Sequence, residues 1–160
     1  MTEWFENLQR TLDQTWDQVA RGTVDRRAPA RHPTLATVNR NGHAEARTVV
    51  LRAADRSAGT LDVYTDAASS KVSELRQRAR ATLHVWHPRL RLQMRLRGSA
   101  TVLTGGDAAP VWASLSESQR QDYGGHPAPG TPIGTLAEAQ ACEAPDRFAV
   151  LRFALVEIET

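Results

Sequence analysis

Residues able to hold an anion gather in one stretch of this 160-residue sequence. Arg47 and Arg52 bracket a β-branched run, Tyr64-Thr65 closes another, Ser69-Ser70-Lys71 opens a helical pattern, and Gln93 follows among arginines. A helix start offers unsatisfied backbone N–H groups and a partial positive charge. Ser69-Ser70-Lys71 can therefore receive a phosphate on hydroxyl, amide and ammonium together, and Arg47 can add a bidentate fork. Singly, such residues are ordinary: a serine there is usually only a cap, and a strand arginine a solvated face. Their arrangement in one stretch of chain carries the reading. Lys71 is the one lysine beside 19 arginines, and the two cations differ most where a compact ammonium meets an oxyanion.

Other chemistries lack their groups. The histidines, His32, His43, His84, His87 and His126, show no zinc-like spacing with a cysteine or a helical carboxylate partner. Cys142, the one cysteine, has no neighbouring histidine or Gly-rich turn and reads as a buried structural thiol; it cannot form an intramolecular disulfide, which fits a reducing cytoplasm. G-x-S-x-G, Walker A and G-x-G-x-x-G are all missing from the sequence, so acyl transfer, nucleotide hydrolysis and the Rossmann route to a dinucleotide lose their signatures.

The elements that must position these groups follow from pattern. With 41% hydrophobic and 24% charged residues, the composition is that of a globular chain, and one domain over 1–160 is expected. No window approaches the ~20 apolar residues of a membrane helix, and Glu3 and Glu6 around Trp4-Phe5 do not resemble a secretion signal. Neither a membrane nor secretion is expected. Trp4, Phe5, Leu8, Leu12, Trp16 and Val19 make one stripe on a helix from Thr2 to about Arg21, stopped by Gly22. Thr34–Asn39 and Ala44–Ala54 flank Arg40-Asn41-Gly42-His43, a hairpin signal. Strands are further expected at Thr60–Thr65, Ala81–Trp86, Leu90–Leu103 and Phe148–Ile158, the fifth with Leu90, Leu92, Met94 and Leu96 alternating against arginines and Gln93. Helices are expected at Ser70–Arg80, where Glu74 can pair with Arg78, and at Gly105–Leu115, Ser116–Tyr123 and Thr135–Ala141. Six strands joined mostly by short turns point to a small antiparallel barrel rather than a parallel α/β sheet.

The run Arg47-Thr-Val-Val-Leu-Arg52, then Asp55, Gly59, Tyr64-Thr65, Ser69-Ser-Lys71, Glu74-Leu75, Trp86, and Gln93 five residues before Gly98 resembles the FMN-binding signature of the pyridoxamine 5'-phosphate oxidase family. Ile133-Gly134 with Gln140 resembles the family's next flavin segment. The resemblance spans about Thr34 to Cys142 and implies a mainly β fold, a six-stranded antiparallel split β-barrel, paired as a homodimer with FMN at the subunit interface. It implies that Arg47, Ser70 and Lys71 hold the FMN phosphate. Thr48, Val49, Val50, Leu51, Arg52, Tyr64 and Thr65 would line phosphate, ribityl chain and ring edge, and Gln93 and Gln140 would hydrogen-bond the cofactor, Gln140 from the partner. Arg52, Tyr123 and Thr131 match substrate-binding positions. Simple alternation puts Arg47 and Arg52 on opposite strand faces, so both meet FMN only across a bulge or on both sides.

Some positions depart from the pattern. Ser70-Lys71 stands where the family has Arg-Lys, Arg52 where it has lysine, and Pro127 where it has a substrate-binding arginine. No tryptophan follows Trp112, so the family's late Trp and Arg-x-His positions have no match. The expectation is an FMN-binding flavoprotein, an oxidoreductase related to pyridoxamine 5'-phosphate oxidase with an unassigned small-molecule substrate, these departures counting against pyridoxal phosphate synthesis. The alternatives are a non-enzymatic flavin or haem carrier, or an RNA-binding barrel using Arg91, Arg95 and Arg97. Against RNA, those arginines interleave with Leu and Met rather than with base-stacking aromatics, and no nucleic-acid partner is expected.

Overall fold

The computed structural model describes residues 3–160, so Thr2, where the helical pattern begins, lies outside the described residues. The strands are β1 (Thr34–Val38), β2 (Ala44–Thr48), β3 (Leu51–Asp55), β4 (Thr60–Asp66), β5 (Arg80–His87), β6 (Leu92–Thr104) and β7 (Phe148–Glu159). They form one antiparallel sheet in the order β2-β1-β5-β6-β7-β4-β3. Its two edges, β2 and β3, are consecutive in sequence and joined only by Val49-Val50. Laid flat, edges six strand spacings apart would be roughly 29 Å from one another. Three consecutive Cα–Cα steps cover at most about 11 Å, so the sheet has to curl until its edges nearly meet. This is a split β-barrel, open along the β2/β3 seam.

Seven strands replace the expected six, because the run Ala44–Ala54 is two strands and not one. At Val49 the chain leaves the β1/β2 ladder, and its N–H donates to Pro33 O at 3.0 Å instead. The hairpin forms as the Asn-Gly signal predicts, with Val38 opposite Ala44 and Gly42 at φ 85°. β6 starts at Leu92 rather than Leu90, because the chain turns after Pro88 and Arg91 takes a φ of 52°. From there Leu92, Met94 and Leu96 face inward as the alternation predicts.

Inside the barrel Leu35, Leu51, Leu61, Leu83, Met94, Leu151 and Phe153 are buried, and each such side chain contributes about 1.5–3 kcal/mol. Helix α2 (Ser70–Gln77) adds Val72 and Leu75 to this core. Helix α1 (Leu8–Val24) lies over it through Trp16 and Val19. The stripe does not form one helix: Trp4–Glu6 is a separate 3-10 turn, and Asn7 caps α1 by accepting from Arg10 N at 3.0 Å. A second cluster gathers around Phe148, whose ring meets Tyr64, Trp112 and Tyr123 at 5.6, 5.3 and 5.0 Å. Over it sit the short helices α3 (Ala109–Ser114) and α4 (Glu117–Arg120), shorter than expected because Gly105–Asp107 is a 3-10 turn and Tyr123 turns away into the cluster. Thr135–Ala141 contains only a 3-10 turn, Leu136–Glu138.

Gly22 does not stop α1, which continues to Val24. Its role is close approach: a Cβ there would lie 2.6 Å from the Ala30 carbonyl carbon. Glycine inside a helix ordinarily costs about 1 kcal/mol relative to alanine. Gly22→Ala should reverse that sign and destabilise the protein by about 1–3 kcal/mol through overpacking. Urea denaturation showing equal or higher stability for the variant would contradict this placement.

Candidate functional site

The seam between β2 and β3 opens into a cavity of about 230 Å³ lined by Thr48, Val49, Val50, Arg52, Tyr64, Thr65, Lys71, Asp122 and Tyr123. Because the barrel closes here through two residues instead of a hydrogen-bonded ladder, side chains from β3, β4, α2 and the loop after α4 converge on one opening. A second cleft, of about 310 Å³, adjoins it and shares Val50, Arg52 and Asp122.

Lys71 sits in the first turn of α2 and donates to Thr65 Oγ1 at 3.0 Å. Burial, first, and the neighbouring Arg47 guanidinium, second, push its ammonium below its ordinary value, against the weaker pull of Asp66 and Glu74. Glu74 is already engaged. Its Oε2 accepts from Arg47 Nη2 at 2.8 Å and from Thr37 Oγ1 at 2.6 Å, and Arg47 Nη1 also reaches Thr37. The expected Glu74–Arg78 pair is therefore absent, and Arg78 donates instead to Asn39 O. A half-buried ammonium beside a second cation, with the nearest carboxylate already paired, is a site of excess positive charge suited to an anion.

Arg52 lies over the Tyr64 ring, 6.0 Å from its centroid. Its Nε is shielded from solvent and has no hydrogen-bond partner, an arrangement that costs about 1–3 kcal/mol until an acceptor arrives. Burial raises the pKa of both tyrosines, Tyr64 and Tyr123, with Arg52 opposing the rise in each. Tyr123 is held in place by its neighbour: Asp66 accepts Gly124 N at 3.0 Å and Ala68 N at 2.8 Å, and Arg147 grips the same carboxylate with Nε and Nη2 at 3.2 and 2.5 Å. One buried carboxylate thus ties the end of β4, the entry to α2 and the Tyr123 loop together.

Of the anticipated residues, Thr48, Val49, Val50, Arg52, Tyr64, Thr65, Lys71 and Tyr123 line the cavity. Arg47 stands just behind it, beside Lys71. The separation of Arg47 from Arg52 comes from the break at Val49-Val50, not from a bulge between them, although β3 carries its own register shift after Leu51. Leu51 points into the core. Ser70 is exposed at the helix start, and Ser69, in the cap position, makes no cap bond; its hydroxyl lies 3.3 Å from Thr65 Oγ1. Gln93 is exposed on β6 opposite Trp86 and meets His84 at 3.3 Å, away from the cavity lining. Gln140 and Thr131 are also exposed and off the lining, Gln140 pairing through its backbone with His126. Asp122, Glu74 and Thr37 were not anticipated as site residues. Glu74, three positions after Lys71 on the same helix face, carried a usable signal.

A split barrel with a basic seam pocket has the architecture of flavin-binding split-barrel proteins. The chain belongs to the pyridoxamine 5'-phosphate oxidase FMN-binding family: the family model described as "Pyridoxamine 5'-phosphate oxidase, FMN-binding domain" matches residues 1–104. It is similar to a pyridoxamine 5'-phosphate oxidase-related, FMN-binding protein from Nostoc punctiforme, with 27% identity over 91% of this chain and 80% of that one and a TM-score of 0.72. The fold is also that of PhzG from Burkholderia lata, solved with tetrahydrophenazine-1-carboxylic acid, at 19% identity over 99% of this chain and 79% of that one, TM-score 0.66. General Stress Protein 26 from Bacillus anthracis shares it at 15% identity over 92% and 91%, TM-score 0.60. No curated protein matches the chain. FMN is the cofactor of the family, and the donors around the seam suit its phosphate: an ammonium, a guanidinium, hydroxyls and an unpartnered buried N–H.

The depressed Lys71 sets a pH dependence. Its folded-state pKa lies below the ordinary 10.5, so between the two values the unfolded chain binds the extra proton and stability rises with pH. The cost of burying the ammonium is fully present below the folded pKa and relieved as pH approaches 10.5. Thermal unfolding of the flavin-free protein should show wild type gaining on Lys71→Met as pH rises toward 10.5. A difference that stays flat across that range would refute the buried, uncompensated charge.

Proposed function

We propose that this protein is an FMN-dependent oxidoreductase acting on a small molecule, with residues 1–160 forming one flavin-binding unit that works as a homodimer. The observation that carries the reading is the half-buried Lys71 ammonium beside Arg47, with Glu74 committed to Arg47 and Thr37. When bound, FMN supplies hydride or electron transfer through its ring system. Lys71 and Arg47, with Ser70 at the helix start, would hold the phosphate. Thr48, Val49, Val50, Tyr64 and Thr65 would orient the chain that joins phosphate to ring. Arg52 and Tyr123, with Thr131, would face the substrate.

The size of the cavity supports a second subunit. Pockets that enclose a ligand of this kind run to roughly 300–1,000 Å³, whereas the seam cavity is about 230 Å³. It suits the phosphate end and leaves the remainder to be covered by another surface. Gln93 stands away from the seam beside Trp86, which is 52% exposed on the outer face of β5. A partner packed on that face would bury the tryptophan and bring its own Gln93 and Gln140 toward the cofactor. Association through a two-fold axis makes such a surface self-complementary.

The competing nucleic-acid reading loses two of its three cations: Arg95 pairs with Glu159, and Arg97 with Glu157 and Glu159 at 2.6 and 2.9 Å. None of the described helices is long and apolar enough to cross a membrane. A reducing cytoplasm suits the free Cys142, which is exposed and not buried as expected, its thiol donating to Gly124 O.

Lys71→Ala should weaken FMN binding by about 1.5–3 kcal/mol, or roughly ten- to a hundredfold. Riboflavin, which lacks the phosphate, should bind the variant and the wild type alike, and Arg76→Ala, exposed on the same helix, should change neither. Fluorescence titration of both flavins decides it: equal small effects on FMN and riboflavin would remove the phosphate from this helix start. Sedimentation of the FMN-loaded protein as a 17.6 kDa monomer would remove the dimer.

A further inference from the structure

The ladder between β6 and β7 ends at the pair Thr104 and Ala149. Beyond that rung the two chains part into separate 3-10 turns, Gly105–Asp107 and Pro145–Arg147, and a cavity of about 230 Å³ lies between them. Gly105 makes the parting possible, since its φ of 56° lies in the left-handed region that favours glycine. Phe148 and Ala108 are the buried part of the lining, Trp112 is half-buried, and Ala109, Pro145 and Asp146 lie at the exposed mouth. Both sides are pinned. The Trp112 and Phe148 rings are 5.3 Å apart, and Trp112 N donates to Ala108 O at 3.0 Å. Across the gap Arg147 is gripped by Asp66, and its carbonyl accepts Ala67 N at 2.6 Å. Neither turn can close on the gap without breaking these bonds, so the apolar lining is left short of contacts that a ligand could supply.

Asp146 is the one ionisable residue of the lining. Among the described residues its carboxylate is in no ion pair. The neighbouring cations are engaged elsewhere: Arg147 is bound to Asp66, and Arg120 lies over the Trp112 ring from α4, 5.6 Å from its centroid and outside the lining. We propose that this cavity binds a small arylalkyl amine, its ring against Trp112 and Phe148 and its ammonium on Asp146. An apolar cavity of roughly 150 Å³ is enough to take up benzene, so the space here admits one ring with a short chain. Aromatic walls beside an unpaired carboxylate favour a cation over a neutral or anionic ligand of the same shape. The cavity shares no lining residue with the seam cavity or the cleft beside it, so the inference does not depend on the flavin reading.

Phenethylamine, phenethyl alcohol and hydrocinnamate have similar shapes and differ in charge, and calorimetric titration of the protein with each, in the presence and absence of saturating FMN, tests the assignment. Phenethylamine should bind with a Kd of about 1 mM or tighter. Phenethyl alcohol should bind roughly three- to fivefold more weakly, and hydrocinnamate more weakly still. Added salt should narrow the gap between amine and alcohol. Asp146 is exposed, so Asp146→Asn should fold normally, bring the amine down to the affinity of the alcohol and leave the alcohol unchanged. Ala109→Leu, also at an exposed position, should fill the mouth and abolish binding of both, while FMN should leave the amine's affinity as it is. No amine binding up to about 10 mM, an amine preference that survives Asp146→Asn, or binding retained in Ala109→Leu would each overturn the proposal. So would competition between the amine and FMN, which would locate the amine at the seam instead.

Discussion

Everything at the site depends on a two-residue connection between the first and last strands of a seven-stranded sheet. Val49-Val50 is too short to cross a flat sheet, so it holds the barrel nearly closed and leaves the closure without a ladder. The cost is a line of backbone not satisfied by a neighbouring strand. It is offset locally, as where Val49 N–H finds Pro33 O, and by burial of Val49 and Leu51 on the inner side. The benefit is an opening whose walls are rigid strands rather than a mobile loop. Side chains that leave β3 and β4 toward the seam face a space that no further strand can fill.

Charge is distributed around that opening unevenly. Apart from Asp122, which lines the opening outside any ion pair among the described residues, the acidic residues near it are committed to structure: Glu74 to Arg47 and Thr37, Asp66 to Arg147 and two backbone N–H groups, Asp62 to Arg152 at 2.8 and 2.9 Å. Each of these carboxylates is buried and paired with an arginine, as a charge removed from water must be. The cations Lys71 and Arg52 are left over. Positive potential at the seam therefore does not come from the net charge, which is only +2, but from where the anions have been spent.

The sequence made much of this legible. The Asn41-Gly42 hairpin, the alternation of Leu92, Met94 and Leu96, and the helix opening at Ser70 are local patterns, and local patterns survive folding. The break at Val49-Val50 was invisible for a reason: a β-branched run reads as continuous strand whether it stays in one ladder or moves between two. Parity then misled, since Arg47 and Arg52, five residues apart, belong to different strands and alternation does not relate them. Gly22 was misread because a glycine that admits a neighbour looks the same as one that ends a helix. Asp66–Arg147, 81 residues apart, and Asp122 had no local signature at all.

Arg52 concentrates these effects in one side chain. It leaves β3 just after the seam, packs over Tyr64, opposes the burial-driven rise in the pKa of both tyrosines, and faces two adjoining spaces. A lysine there would offer a single ammonium to one space or the other. A guanidinium presents donors along two edges of a plane, so it can serve both without changing rotamer. Its ring contact with Tyr64 fixes that plane, and Tyr64 is itself fixed against Phe148, deep in the second cluster. The orientation of the group that links the two cavities is thus set by aromatic packing, and among the described residues no carboxylate forms an ion pair with it, so its charge stays available to a ligand.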